Sequence, residues 1–138
     1  WLLEVKTYTG DYRNYGEHWD YRAGKRWKPM RKRGPSRQAR ANAVRLANFL
    51  RADGLRQFVE PAVVWANETS APDIDQPVVP VWTLDRLPDE LGNLDRGRRL
   101  SEAHQAQIVA KLTDLCARQA RQGAAEPAFN HQGDNPSV

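Results

Sequence analysis

The chain has 138 residues, 40% hydrophobic and 28% charged, with a formal net charge of +4; that is the composition of an ordinary soluble globular domain, with room for one core but not two. No apolar run approaches a membrane span, and Trp1 to Thr7 lack the basic start and long apolar stretch of a secretory leader. Cys116 is the only cysteine, which excludes an intrachain disulfide and a cysteine-built zinc site and suits a reducing cytoplasm. Trp1 to Tyr8, with Trp1, Leu2, Leu3 and Val5 apolar and Thr7 and Tyr8 favouring extended backbone, reads as a buried strand. Because the sequence starts inside that strand, it is expected to be a fragment whose upstream part is missing. Gly10-Asp11 marks a turn. Tyr12 to Gly34 is then a long polar and aromatic excursion, with room for a short hairpin around Ala23-Gly24.

Gly34-Pro35-Ser36 opens the clearest helix. Proline is tolerated in a first turn, and Ala39, Ala43, Leu46 and Leu50 fall on one face; Asp53-Gly54 ends the helix, with Gly54 as a left-handed cap. Pro61 to Ala66 reads as a second strand, apolar enough to be covered on both faces. Asn67 to Pro77 is a polar loop. Val78 to Trp82 is a third strand, and Pro80 argues that it lies at a sheet edge. Leu84, Leu87 and Leu91 suggest a short helix interrupted at Pro88. Ser101 caps a long helix to about Gln119 whose apolar stripe is Ile108, Leu112, Leu115 and Cys116. The expected organisation is one α/β domain over residues 1–121, followed by a small, polar, disordered tail over 122–138.

Glu4-Val5-Lys6 carries the chemistry. Side chains alternate along a strand, so Glu4 and Lys6 share a face while Leu3 and Val5 are expected to enter the core on the other. A carboxylate can ligate Mg²⁺, and a neighbouring ammonium can orient water and stabilise charge on a phosphorane-like transition state. By itself a Glu-x-Lys match is weak, and a surface ion pair explains it as well. The charge distribution adds to it. Eleven basic residues lie between Arg13 and Arg45 against only Glu17 and Asp20, while the rest of the chain is net acidic. Within that stretch Arg22, Lys25, Arg26, Lys28, Arg31, Lys32 and Arg33 surround Trp27, and Arg37 and Arg40 extend the patch along the helix, with Arg45 a further candidate. Bases interleaved with an aromatic suit phosphate contacts and base stacking.

The order of these features resembles the NERD (nuclease-related) family, a branch of the PD-(D/E)XK superfamily with the restriction-endonuclease fold. There a Glu-x-Lys strand is followed by a glycine, here Gly10, a tryptophan-containing segment, here around Trp27, and a proline-led helix bearing a glutamine, here Pro35 to Ala43 with Gln38. The resemblance runs from Trp1 to about Leu115. It implies an α/β fold with a mixed sheet flanked by helices. It also implies Mg²⁺-dependent phosphodiester hydrolysis of DNA or another nucleic acid, with Glu4 as metal ligand, Lys6 stabilising water and transition state, and Gln38 beside them. Further kinase- or helicase-type domains are implied as partners in a full-length protein. The family's metal-binding aspartate lies on the strand before Glu-x-Lys, which this sequence lacks, so activity is expected of the full-length form. The alternative is a non-catalytic nucleic-acid-binding or interaction module.

Overall fold

A computed structural model of the chain describes residues 1–30, 34–94 and 100–125. In chain order the elements are β1 (Leu2–Lys6), β2 (Tyr12–Tyr15), β3 (His18–Ala23), β4 (Arg26–Pro29), α1 (Pro35–Ala52), β5 (Pro61–Trp65), β6 (Asp73–Asp75), β7 (Val81–Thr83), α2 (Leu87–Asn93) and α3 (Glu102–Ala125). They fall into two compact units, one within Trp1–Arg99 and the other within Leu100–Val138. The mixed content makes the fold α/β, as expected.

In the first unit β5 is the middle of a parallel sheet ordered β1-β5-β7. Its apolar run is buried from Ala62 to Trp65, as a two-sided strand should be. Glu4 pairs with Val63 and Lys6 with Trp65, and these in turn pair with Val81 and Thr83. Paired residues share a face, so the α1 side carries Glu4, Lys6, Val63 and Val81, and Ala39 of α1 packs there with Val63 and Val79. The other face gathers Leu3, Ala62, Val64 and Trp82 with Leu87 and Leu94. Val5 does not join them. It is 56% exposed, because β1 is the outer strand of the described sheet and no described element packs over Val5.

Tyr12 to Pro29 is more regular than its composition suggests. Strands β2, β3 and β4 form an antiparallel meander, and the hairpin expected at Ala23-Gly24 is present, with Gly24 at φ 61° in a two-residue turn. Asp73–Asp75, read as loop, adds β6 in parallel to β2. A three-residue stretch, Asp-Ile-Asp, is too short to carry a periodic signal, and only its partner makes it a strand. The meander joins α1 through Trp19, which stacks on Trp65 at 5.9 Å and 4° and donates its indole N–H to Ser36 Oγ at 2.7 Å.

Helix α1 begins at Pro35 and ends in a left-handed turn: the Leu55 N–H bonds Leu50 O at 3.1 Å and the Gly54 N–H bonds Arg51 O at 2.9 Å, with Gly54 at φ 78°. Ala39, Ala43 and Leu50 are buried, as the spacing predicts. Strand β7 is shorter than Val78 to Trp82. Pro80 precedes it, and the strand does sit at the described sheet edge. Pro88 lies in the first turn of α2 and opens that helix instead of interrupting it.

In the second unit Ser101 caps α3, its Oγ accepting the His104 N–H at 3.3 Å. The helix continues to Ala125, past the expected end near Gln119, and Cys116 is exposed, so it is no core residue. The remainder of the expected tail, 126–138, lies outside the described residues. Among the described residues no helix is long and apolar enough to cross a membrane.

Candidate active site

Strand β1 holds Glu4 and Lys6 on the face that α1 covers. Lys6 Nζ donates to Glu4 Oε1 at 2.7 Å and to Gln38 Oε1 at 2.5 Å. The second carboxylate oxygen of Glu4 accepts from Asn42 Nδ2 at 3.0 Å, and Asn42 Oδ1 accepts from Arg45 Nη1 at 3.4 Å. Gln38 and Asn42 stand four residues apart on α1, so one helix face presents both amides to the strand. Their orientations follow from their partners. An ammonium has only hydrogens to offer, so Gln38 turns its oxygen inward; Glu4 Oε2 has only lone pairs, so Asn42 turns its nitrogen inward. The Tyr8 ring stands 5.5 Å from Lys6 Nζ and flanks it.

The Lys6 and Glu4 side chains are 11% and 17% exposed. That is deep enough to strengthen the pair above a solvated surface contact, and open enough to meet a ligand. Extracting two charges from water offsets much of their attraction, so such a pair is a poor source of stability and a good means of fixing geometry. Beside it Tyr12 stacks on Tyr8 at 5.4 Å; burial, then the neighbouring Tyr8 and Tyr21, push the Tyr12 hydroxyl above its ordinary value of 10.0. A shallow groove of about 380 Å³ lies alongside, lined by Arg37, Gln38, Ala41, Asn42 and Arg45.

The basic residues separate into two groups. Arg40 pairs with Glu17, Arg22 with Asp11 at 3.4 Å and Arg13 with Asp20 at 2.8 Å. Arg13 also covers the Trp27 ring at 4.6 Å, occupying a surface that sequence reasoning reserved for a base. Lys25, Arg26 and Lys28 are exposed on the β3–β4 hairpin, and Arg37 and Arg45 are exposed on α1. Arg31, Lys32 and Arg33 lie outside the described residues. A second cleft, of about 450 Å³, opens between the meander and the start of α1, with Trp19, Met30, Arg37 and Arg40 in its lining.

The structure thus brings Glu4, Lys6 and Gln38 together. It adds Asn42, which sequence reasoning did not single out. The available signal was its i+4 spacing from Gln38, visible only once both amides are read against the acid and amine on the strand.

Residues 1–66 match the family model described as nuclease-related domain, NERD. That segment spans β1, the meander, α1 and β5, and holds Glu4, Lys6, Gln38 and Asn42. The resemblance read from the Glu-x-Lys strand and the proline-led helix is borne out over this segment. The match points to a nuclease-related function, and with it to nucleic acid as partner and a divalent metal as cofactor. No curated protein and no solved structure matches the chain.

Proposed function

We propose that the chain is the nuclease-related part of a metal-dependent nucleic-acid hydrolase of the reducing cytoplasm, acting on phosphodiesters of DNA, with Mg²⁺ as the ion. The observation that carries this is the acid and amine held side by side by α1: Glu4 and Lys6 at 2.7 Å, with Gln38 on the amine and Asn42 on the acid. A carboxylate oxygen has lone pairs left after accepting one hydrogen bond, so Glu4 suits one position on a hard divalent ion. It does not suffice for the whole site. Among the described residues no group of three His, Cys, Asp or Glu side chains could hold a metal, so an ion at Glu4 would need further oxygen ligands.

When bound, the ion would neutralise the phosphate and acidify a water. The chain's own residues supply the rest. Lys6 orients the attacking water and meets the charge that grows on the phosphate oxygens. Gln38 keeps the ammonium at that place, and Asn42 fixes the Glu4 rotamer. Placement on a strand and a helix, not a loop, gives the precision that phosphoryl chemistry needs.

The incomplete ligand set favours a second reading, a nucleic-acid-binding module that uses the same surface without cleavage. Plasmid nicking with and without Mg²⁺, alongside a metal titration, separates them. The first reading expects nicking that needs the ion and disappears in Glu4→Gln. Salt-sensitive DNA binding with no nicking and no metal uptake in the full-length protein would establish the second.

A further inference from the structure

We propose that one strand of the nucleic acid lies along α1, gripped at one phosphate by Arg37 and at another by Arg45, with the stretch between them held over Glu4 and Lys6. This rests on the nucleic-acid reading above and adds the path of the strand and the residues that read its backbone.

The groove beside the site has Gln38 and Asn42 in its lining, the two residues that bond Lys6 and Glu4. Whatever lies in the groove therefore lies against the two amides that hold the acid–amine pair. Arg37 and Arg45 belong to the same lining, one before and one after the two amides. Eight residues of helix separate them, a rise of about 12 Å. That is far enough for the two to reach different phosphates of one strand, whose charges follow one another at about 3.4 Å along the duplex axis and further apart along the backbone itself. Midway between them Ala41, also in the lining, is exposed and small, so the groove stays open at its centre.

Pairing decides which cations are ready for phosphate. Arg13, Arg22 and Arg40 are each engaged by a carboxylate, and to take a phosphate each would have to surrender its acid. Among the described residues no carboxylate pairs with Arg37 or Arg45. Among the described residues Arg45 makes a 3.4 Å hydrogen bond to Asn42 Oδ1, long and exposed, and readily given up to an anion. A guanidinium grips a phosphate with two parallel N–H donors, so two of them at a fixed spacing on a rigid helix set the register of the strand as well as its affinity.

The test is fluorescence anisotropy of a short labelled duplex against salt, with the whole chain. Arg37→Ala together with Arg45→Ala is expected to lower the slope of log K against log salt by about 1.8, two phosphate contacts at about 0.9 each. Arg37→Lys with Arg45→Lys, which keeps both charges, should retain the slope. The charge-matched pair Arg51→Ala with Arg86→Ala should leave it unchanged. Ala41→Glu, an exposed helix position, should weaken binding at low salt by about tenfold or more, since a like charge then faces the phosphates. Circular dichroism confirms that each variant keeps its helix. A wild-type slope in the Arg37/Arg45 alanine variant, with binding intact, would overturn the strand path and leave the nucleic-acid reading standing. A wild-type chain that does not bind duplex at low salt would overturn both.

Discussion

Helix α1 makes two kinds of polar contact with the sheets within its first half. At its start Ser36 is fully buried and accepts the indole N–H of Trp19, which is 2% exposed and stacked on Trp65. Two and six residues further on, Gln38 and Asn42 reach Lys6 and Glu4, where the side chains keep some access to water. The first contact is neutral, dry and local to the packing. The second is charged and open on one side. A buried neutral pair holds the fold together because losing one partner strands the other without water. A half-open charged cluster contributes little to stability but holds groups in a geometry that a ligand can use. The helix thus fastens the fold through Ser36 and builds the site through Gln38 and Asn42.

That division can be broken from either end. The largest effects are expected at the cluster. If the proposed cleavage holds, Lys6→Ala should lower Mg²⁺-dependent turnover by about 10²–10³-fold, the usual loss on removing one transition-state donor, with duplex affinity nearly intact. Glu4→Gln should remove metal binding and turnover together, read by calorimetry and nicking on the same samples. Lys6→Ala with unaltered turnover would reduce the pair to a surface ion pair.

Asn42→Ala comes next. Groups that orient a metal ligand typically matter by about 10- to 100-fold in metal affinity, so the ion should bind that much more weakly while the urea midpoint moves little. Ser36→Ala should do the reverse. It strands the Trp19 N–H in the core and should lower stability by about 1–3 kcal/mol in urea unfolding, with cleavage per folded molecule unchanged. Equal effects of these two substitutions on stability would erase the distinction between the two contacts.

The smallest effect is a pH dependence. Burial raises the Tyr12 hydroxyl above 10.0 in the folded chain, so the folded state holds this proton more tightly than the unfolded state. Unfolding then releases a proton at alkaline pH. Stability that is fully present below about pH 10 should therefore fall as pH climbs through 10 towards the folded value. Tyr12→Phe should flatten that limb of a stability-against-pH curve, and leave neutral pH nearly unaffected.

Much of this was legible before any coordinate. Period-two alternation puts Glu4 and Lys6 on one face of β1 whatever surrounds it, because that is a property of extended backbone. The spacing of Ala39, Ala43 and Leu50, the proline at the start and Gly54 at the end delimit α1 for the same reason: each is a local preference of the chain. The unbroken apolar run of β5 announces a strand covered on both faces. What stayed illegible depended on neighbours. Val5 has the pattern of a core residue and is exposed, because its strand is the outer one among those described. Asp73–Asp75 has the composition of a loop and is a strand, because β2 offers it hydrogen bonds. Trp27 reads as a stacking surface and already carries Arg13.

The arginines show the same boundary at the level of function. By sequence they form one basic run, and the charge count alone determines that this segment carries a positive field. Charge has no sequence periodicity, so nothing in the chain says which guanidinium will meet an acid. Only the tertiary structure decides it, by bringing Glu17 to Arg40 and Asp11 to Arg22 while leaving Arg37 and Arg45 without a carboxylate among the described residues. The sequence by itself determined an acid and an amine on a strand and a glutamine on a helix. Packing that helix across the strand made them one site and added Asn42, because hydrogen bonds act over about 3 Å and residues 32 and 38 positions apart meet only where the fold closes the distance.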